Sequence, residues 1–408
     1  MFRSCLARGA TATLAVGAVL GFAGAASAHP IFMPNYVQEA QHDQGAGALV
    51  PPAPPCPQNV VGQSCSIVPE TPALGIPYPG NMAYYGGHVQ VHPKEYLVYW
   101  GWGQSGAWPS GTKCSSERIA EGTLKATLSC DPDSAGKYMA DFLKQIGGTA
   151  WTGVQTQYYE TDSSGKQTFI ANDRNRLAGI WVDNTDPNTL PKTSLDNAAG
   201  PTNTLTVLGK EAQAAVKHFK VTDLKNANIV IVQPPGLSDP NALSQGYCAF
   251  HDYVWPNVEA GAYNGLTQGI SFSNIPYQLA INSSGSNVCG ENAVNSGPQG
   301  KLDGFSIVLG HEMEETTTDP GAEDVVGSGI SPTHLGGWYD APDANENGDK
   351  CAWVGIDPTT GQGTFPIPGA SGNITGNGGK TFAVQSLWSN AAAGGLGWCA
   401  GVNDLPGG

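Results

Sequence analysis

Five consecutive residues have the types and spacing of a metal-dependent hydrolase. His311-Glu312-Met313-Glu314-Glu315 forms an H-E-x-x-E pattern. Residues four apart lie on one face of a helix, so His311 and Glu315 can bind one metal ion together. Glu312 is then placed to accept a proton from a metal-bound water, as in H-E-x-x-H metallopeptidases, with glutamate replacing the second histidine. The pattern predicts a zinc site with Glu312 as general base.

A simpler interpretation is a solvated acidic helix face with a hydrogen-bonded histidine. A metal site needs a third protein ligand, and the candidates lie downstream: His334, Asp340, Asp343, Glu346 and Asp349. Chemistry alone favours His334, because imidazole suits zinc best.

The same downstream loop also permits a calcium interpretation. Asp343, Asn345 and Asn347 alternate before Gly348, as in the first half of an EF-hand loop. The glutamate required at the twelfth position is Val354 instead, so a true EF-hand is not expected. A looser calcium loop and a polar turn both remain open.

Four blocks in order resemble the exordium / phosphate-induced protein family, which is known from plant cell walls and has bacterial relatives. They span roughly residues 95 to 400. The blocks are Tyr96-Leu-Val-Tyr-Trp100, Tyr247-Cys-Ala-Phe-His251, the H-E-x-x-E helix with Asp319-Pro320, Trp338-Tyr339 and Glu346-x-x-Asp349-x-Cys351, and Phe382 to Asn390 with Cys399. The resemblance implies an exported protein with this metal site.

The resemblance also bears on the remaining ligands. The family keeps a Glu three residues before an Asp, which favours Glu346 and Asp349 as metal-site residues. His334 falls in 321–337, which resembles an insertion relative to plant members. His251 matches a recurring Cys-x-x-His of the family. It either reaches the site or is a buried histidine beside a disulfide, and the second interpretation is slightly favoured.

The leading hypothesis is an exported zinc-dependent peptidase acting on extracellular protein, peptide or cell-wall substrates. Glu346 is the expected third ligand, and Asp349 orients a ligand or serves as an alternative third one. Tyr339 is expected to donate a hydrogen bond to the tetrahedral oxyanion. The rival hypothesis is a non-catalytic extracellular protein that binds cell-wall or carbohydrate ligands and holds a structural metal. No G-x-S-x-G motif supports a serine hydrolase.

The elements around the motif predict an α/β fold, with a mixed sheet, flanking helices and a zincin-like active-site helix. Asp303 can cap that helix and Pro320 should end it. Helices are expected near 134–146 and 204–219. The predicted strands are 95–100, 154–159, 229–232, 247–253, 277–281 and 381–387.

The N-terminus has the features of a secretory signal peptide. Arg3 and Arg8 precede an apolar run, and Ala26-Ser27-Ala28 offers a cleavage site. Residues 29–90 are predicted to be a Pro/Gly-rich extended arm, and residues 91–408 a single α/β metallohydrolase domain. Removing 1–28 takes two arginines and no acid, leaving 17 basic and 34 acidic residues. This balance argues against nucleic-acid and membrane partners after signal cleavage.

Cysteine use agrees with export. Eight cysteines remain after residue 28, which predicts a disulfide-stapled, secreted protein. Eight cysteines allow 105 connectivities, and nearest-neighbour pairing is favoured because it closes short loops. The expected pairs are Cys56–Cys65, Cys114–Cys130, Cys248–Cys289 and Cys351–Cys399. The last pair would tie the loop that carries Glu346 and Asp349 to the C-terminal strand.

Overall fold

The computed structural model describes most of the chain from residue 80 to residue 402 and one short N-terminal strand. The described ranges are 29–32, 80–185, 207–238, 242–254, 269–283, 286–320, 325–326, 329–330, 337–340, 345–357, 362–363 and 369–402. The predicted signal peptide, most of the predicted arm, Cys56, Cys65, His334 and Asp343 lie outside these ranges.

Six strands form a mixed sheet, as predicted. In chain order they are β1 (His29–Phe32), β2 (Lys94–Trp100), β3 (Leu177–Asp183), β4 (Ala227–Val232), β5 (Tyr247–Val254) and β6 (Ile270–Ile275). Their order across the sheet is β1-β5-β6-β4-β2-β3. The four strands from β6 to β3 are parallel, whereas β5 is antiparallel to both β6 and β1. The residues of β4 and β5 are buried throughout, as expected for strands covered on both faces.

Three long helices cover the two faces of the sheet. They are α1 (Ala135–Ile146), α2 (Val207–Phe219) and α3 (Asp303–Thr318). On one face, the Tyr99 hydroxyl of β2 donates to the Gly136 carbonyl of α1 at 2.6 Å. On the other face, the Tyr96 ring lies 5.1 Å from the Phe219 ring of α2. The layered α/β architecture is therefore confirmed.

Smaller elements close the edges of this core. The paired strands are Ala83–Tyr84 with Trp338–Tyr339, Glu117–Glu121 with Leu124–Leu128, Tyr159–Thr161 with Gln167–Phe169, Asn282–Ser283 with Ser286–Asn287, Val325–Val326 with Gly329–Ile330, Gly372–Thr375 with Thr381–Val384, and Leu387–Ser389 with Trp398–Ala400. The short helices are Ala150–Gly153, Val154–Gln157, Leu224–Asn226, Ala242–Gln245, Gln278–Ala280, Gly297–Gly300, Asp349–Cys351 and Ala392–Gly395. Strand Thr381–Val384 packs against α3 and leads to the residues that line the candidate site.

Three predicted strands differ from the structure. Residues 154–157 are helical because the Thr149 side chain caps the preceding turn, accepting from the Thr152 amide at 3.3 Å. Residues 278–280 form a helical turn, and the Gln278 side chain bonds the Cys248 and Pro276 carbonyls. The segment 381–387 is two strands that break at residues 385–386.

Helix α3 is buried along its whole length. It ends at Thr318, directly before Asp319-Pro320, as the proline predicted. The prediction that Asp303 caps it is wrong. Asp303 is already helical, and its carboxylate accepts instead from the Val294 and Asn295 amides at 2.8 and 2.6 Å. This carboxylate therefore anchors the preceding loop, not the helix end.

Three of the predicted disulfides are confirmed: Cys114–Cys130, Cys248–Cys289 and Cys351–Cys399. The fourth predicted pair lies outside the described residues. Disulfide bonds of this kind fit an oxidising extracellular or periplasmic compartment. Among the described residues, we find no helix with the length and apolar character needed to cross a bilayer.

Candidate metal centre

Helix α3 carries three ionisable side chains into one buried site. His311, Glu312 and Glu315 are all fully buried. The Nε2 atom of His311 lies 2.9 Å from Oε1 of Glu315, as the four-residue spacing predicts. A solvated helix face is therefore the wrong interpretation of this pattern. The three side chains need compensating partners, because an isolated buried charge is costly.

The imidazole of His311 is held in one orientation by Gln385. Nδ1 lies 3.0 Å from Oε1 of Gln385, whose Nε2 donates to the Gly348 carbonyl at 2.8 Å. A carbonyl only accepts, so this bond fixes the amide with its oxygen towards His311. In the neutral ring Nδ1 therefore donates and the Nε2 lone pair faces the carboxylates. A partner of this type on the second ring nitrogen is typical of metal-binding histidines.

A loop returns to α3 and supplies another carboxylate. Oδ1 of Asp349 lies 3.5 Å from Nε2 of His311, and the Asp349 amide donates to Oε1 of Glu315 at 2.8 Å. The loop can approach because Gly348 has no side chain. A Cβ there would lie 2.7 Å from Oε1 of Glu315 and 2.8 Å from Nδ1 of His311.

Three further contacts hold the loop in place. The buried Lys350 ammonium lies 2.5 Å from the Asp340 carboxylate, and Cys351 is bonded to Cys399. The Lys350 ammonium also lies 4.5 Å from the centre of the Trp388 ring. These contacts set the position of Asp349 from outside the site.

His251 enters the same site from β5. Its Nδ1 lies 3.3 Å from Oε2 of Glu312 and 3.5 Å from Oε2 of Glu315. Its Nε2 lies 3.3 Å from the Asp319 carbonyl and 3.5 Å from Oε2 of Glu346. The sequence slightly favours a buried histidine beside a disulfide at this position. The one pattern that points to a site residue is the Cys-x-x-His that starts at Cys248.

The two downstream acids occupy different sides of the site. Asp349 approaches His311, and Glu346 approaches His251. Asp349 completes the group with His311 and Glu315, a position for which the sequence favours Glu346. The alternative in which Asp349 is the third ligand fits the distances better.

The remaining predicted site residues make other contacts. The Tyr339 ring stacks on the Tyr85 ring with 3.9 Å between centroids, and Tyr339 pairs with Ala83. Nδ2 of Asn347 donates to Oε1 of Gln155 at 2.8 Å and to the Glu314 carbonyl of α3 at 3.3 Å, so this amide braces α3. Asn345 pairs with Asp340 through the backbone. The oxyanion role of Tyr339 and the calcium loop at Asp343, Asn345 and Asn347 stay predictions.

On its other side, α3 is anchored by a buried ion pair. Arg176 NH2 lies 3.5 Å from Oε1 of Glu314, and Arg176 NH1 donates to the Thr317 hydroxyl at 3.1 Å. Burial raises the pKa of Glu314 to about 7, against the opposite effect of the Arg176 charge. This contact fixes the rotation of α3 and with it the direction in which His311 and Glu315 point.

The electrostatics of the site favour bound positive charge. Burial raises the pKa of Glu312 to about 7, although the hydrogen bond with His251 acts the other way. Burial would also raise the pKa of Glu315, but the charge of His311 and the closeness of both histidines outweigh it and lower the pKa to about 2. Burial lowers the pKa of His251, yet the nearby Glu312 and Glu315 carboxylates raise it to about 10. Protons or a metal ion can supply this charge.

The donor atoms form two groups that could hold a metal ion. The groups are His311, Glu315 and Asp349, and His251, Glu312 and Glu315. Within each group the ligand atoms lie within 4.8 Å of one another. Imidazole and carboxylate donors in this number are compatible with zinc and with harder divalent ions.

Neither a protein-family model, nor a curated protein, nor a solved structure matches this chain.

Proposed function

We propose that the protein is an exported zinc-dependent hydrolase that cleaves extracellular peptides, with His311, Glu315 and Asp349 holding the metal. The proposal includes the resemblance to the exordium family, which carries the same H-E-x-x-E pattern. One observation supports it above all. Nε2 of His311 and Oε1 of Glu315 lie 2.9 Å apart, yet this buried nitrogen has no hydrogen bond. Neighbouring donors on a tetrahedral zinc ion lie about 3.3 Å apart, so this separation is compatible with two ligands of one ion.

The chemistry divides between the metal and the chain. A bound zinc ion polarises a carbonyl and lowers the pKa of a coordinated water. Glu312 accepts the proton of the attacking water and passes it to the leaving amine. Burial raises the pKa of the Glu312 carboxyl, which favours acid–base work near the ambient pH. Gln385 keeps His311 in its metal-binding tautomer throughout.

Charge sets a limit on the expected rate. One histidine and two carboxylates leave a zinc ion formally neutral, whereas two histidines and one carboxylate leave it at plus one. A neutral centre lowers the pKa of water less, so we expect slower turnover than in a two-histidine site.

The second candidate is a non-catalytic extracellular protein with a structural metal, binding cell-wall or carbohydrate ligands. Burial favours it: the side chains of His251, His311, Glu312, Glu315 and Glu346 are fully inaccessible. Among the site side chains only Asp349 reaches solvent, with 14% of its side chain exposed. A catalytic metal needs an open position for water, whereas a structural one is closed.

Metal analysis combined with a peptide-digestion assay separates the two candidates. The wild type is purified without chelators and compared with Glu312→Gln and with the control Glu291→Gln, which lies outside the site. Bound zinc, with activity that Glu312→Gln loses and Glu291→Gln keeps, supports the hydrolase. Stoichiometric zinc without activity in any variant supports the structural-metal protein. A protein that takes up no metal contradicts both.

A further inference from the structure

We propose that the site binds a second divalent cation between His251, Glu312 and Glu315, so that Glu315 bridges two ions. This inference extends the proposed metal centre and rests on metal binding, not on catalysis. The first position uses His311, Glu315 and Asp349. The second uses the group on the opposite side of Glu315.

The arrangement of Glu315 supports a bridge. Its Oε1 lies 2.9 Å from Nε2 of His311, and its Oε2 lies 3.5 Å from Nδ1 of His251. The two oxygens of one carboxylate therefore face different histidines. Bridged pairs of metal ions in hydrolases lie about 3.5–4 Å apart, which a bridging carboxylate can span.

The buried outer oxygen is an independent observation. Oε2 of Glu315 is inaccessible to solvent and accepts no hydrogen bond. An unsatisfied buried carboxylate oxygen is costly, more so than a neutral polar atom. A cation beside Nδ1 of His251 could satisfy this oxygen and also reach Oε2 of Glu312, because Nδ1 lies 3.5 Å from the first oxygen and 3.3 Å from the second.

The orientation of His251 is that of a metal ligand. Its Nε2 lies 3.3 Å from the Asp319 carbonyl, which can only accept, so Nε2 carries the hydrogen. In the neutral ring the Nδ1 lone pair then faces the carboxylates of Glu312 and Glu315. Lone pair and carboxylates repel each other unless a proton or a cation lies between them. His311 shows the same arrangement, with Gln385 as the acceptor.

The described carboxylates of the site can balance two divalent ions. Four carboxylates meet here, those of Glu312, Glu315, Glu346 and Asp349, beside two histidines. With neutral imidazoles, one divalent ion leaves a formal charge of minus two, and two ions leave none. The neighbouring Lys350 ammonium is engaged by Asp340 at 2.5 Å. Buried charge of one sign is strongly unfavourable, so the second ion stabilises the site.

Occupancy of the second position has a functional consequence. Glu312 cannot accept a proton while its carboxylate is a metal ligand. Excess metal should therefore inhibit the proposed hydrolase, with the first ion activating and the second suppressing turnover.

Zinc titration of the metal-free full-length protein tests the inference. Calorimetry and elemental analysis should show two equivalents in the wild type and one in His251→Gln, which can keep a donor for the Asp319 carbonyl. His92→Gln is the matched control, because His92 is largely exposed, and it should bind as the wild type does. Glu312→Gln should also bind one equivalent and gives a second variant if His251→Gln does not fold. Manganese-loaded wild type should show the paramagnetic resonance of a coupled ion pair.

The outcomes are distinct from those of the hydrolase proposal. Two equivalents in the wild type without any peptidase activity support the second site and contradict the hydrolase. One equivalent in the wild type at saturating zinc overturns the second site and assigns a proton to Nδ1 of His251. Two equivalents in both the wild type and His251→Gln also overturn it, because the second ion then lies elsewhere.

Discussion

Gln385 determines which nitrogen of His311 faces the carboxylates of Glu315 and Asp349. The Gln385 oxygen lies 3.0 Å from Nδ1, and its amide group is fixed by the Gly348 carbonyl at 2.8 Å. One side chain thus links His311 of α3 to the loop that carries Gly348 and Asp349. The residues are 74 positions apart in the chain.

Replacing Gln385 by leucine should weaken zinc binding by roughly 10–100-fold, the usual cost of losing an outer-shell partner. The imidazole would lose its acceptor and rotate, and Gly348 would lose its donor. Competition with a fluorescent zinc chelator measures the affinity. Gln157→Leu, which removes an amide bonded to Ser389 away from the site, is the control. Equal zinc affinity in both variants would show that Gln385 does not orient His311.

Gly348→Ala should also lower metal affinity, by at least about tenfold. Its added Cβ would lie within 3 Å of atoms of both Glu315 and His311. The backbone at Gly348 has φ −76°, so alanine meets no backbone strain and the effect is steric. Gly153→Ala is the matched control, since its Cβ would lie 3.2 Å from the Asn172 side-chain nitrogen. The measurement is zinc affinity together with thermal stability, and an unchanged affinity would contradict the close approach.

Removing the Cys351–Cys399 disulfide should impair both stability and metal binding. The chain-entropy relation for a separation of 48 gives about 4 kcal/mol of lost stability. Asp349 lies two residues before Cys351, so its position should loosen as well. Removing Cys114–Cys130, with a separation of 16, should cost about 3 kcal/mol and leave zinc affinity unchanged. Serine double variants, compared by urea unfolding and zinc titration, test this difference.

The buried carboxyl of Glu211 should make stability depend on pH. Burial, reinforced by the nearby Asp183 carboxylate, raises its pKa to about 9. A folded pKa above the unfolded value gives stabilisation that is complete below about pH 4.3 and is lost as the pH rises through 9. Glu211→Gln cannot ionise. As the pH rises, its free energy of unfolding should therefore increase relative to that of the wild type, by more than about 1.4 kcal/mol.

Urea unfolding at about pH 5 and about pH 10 measures this gain. Glu117→Gln, in the hairpin that starts at Glu117, is the control for a surface glutamate. A constant difference between Glu211→Gln and the wild type at both pH values would contradict the assignment.

Local geometry was accessible from the sequence, and long-range geometry was not. The four-residue spacing of His311 and Glu315 placed both on one face of α3, because a helix repeats every 3.6 residues. His251 joins them only because β5 runs antiparallel beside β6 under α3, and no local pattern encodes that order. The architecture was predictable because alternating strands and helices leave few ways to cover a sheet.

The loop that carries Glu346 and Asp349 also could not be placed from the sequence, although its residues are close in the chain. Glu346 and Asp349 are one helical turn apart, so spacing could not decide which of them faces His311. The close approach of Gly348 and the anchoring of Cys351 decide it in favour of Asp349. The stacking of Tyr339 on Tyr85 depends on a strand pairing across more than 250 residues, which spacing does not reveal.

Strand β1 gives practical guidance for producing the protein. Its four residues pair with the outer edge of β5, with His29 opposite His251. A recombinant chain that starts after Phe32 would leave the backbone amides and carbonyls of β5 without these partners, right beside the site. Such an edge recruits strands from other molecules, so that shortened chain should self-associate. Expression should therefore retain residues 29–32, and a purification tag is better placed at the carboxyl end.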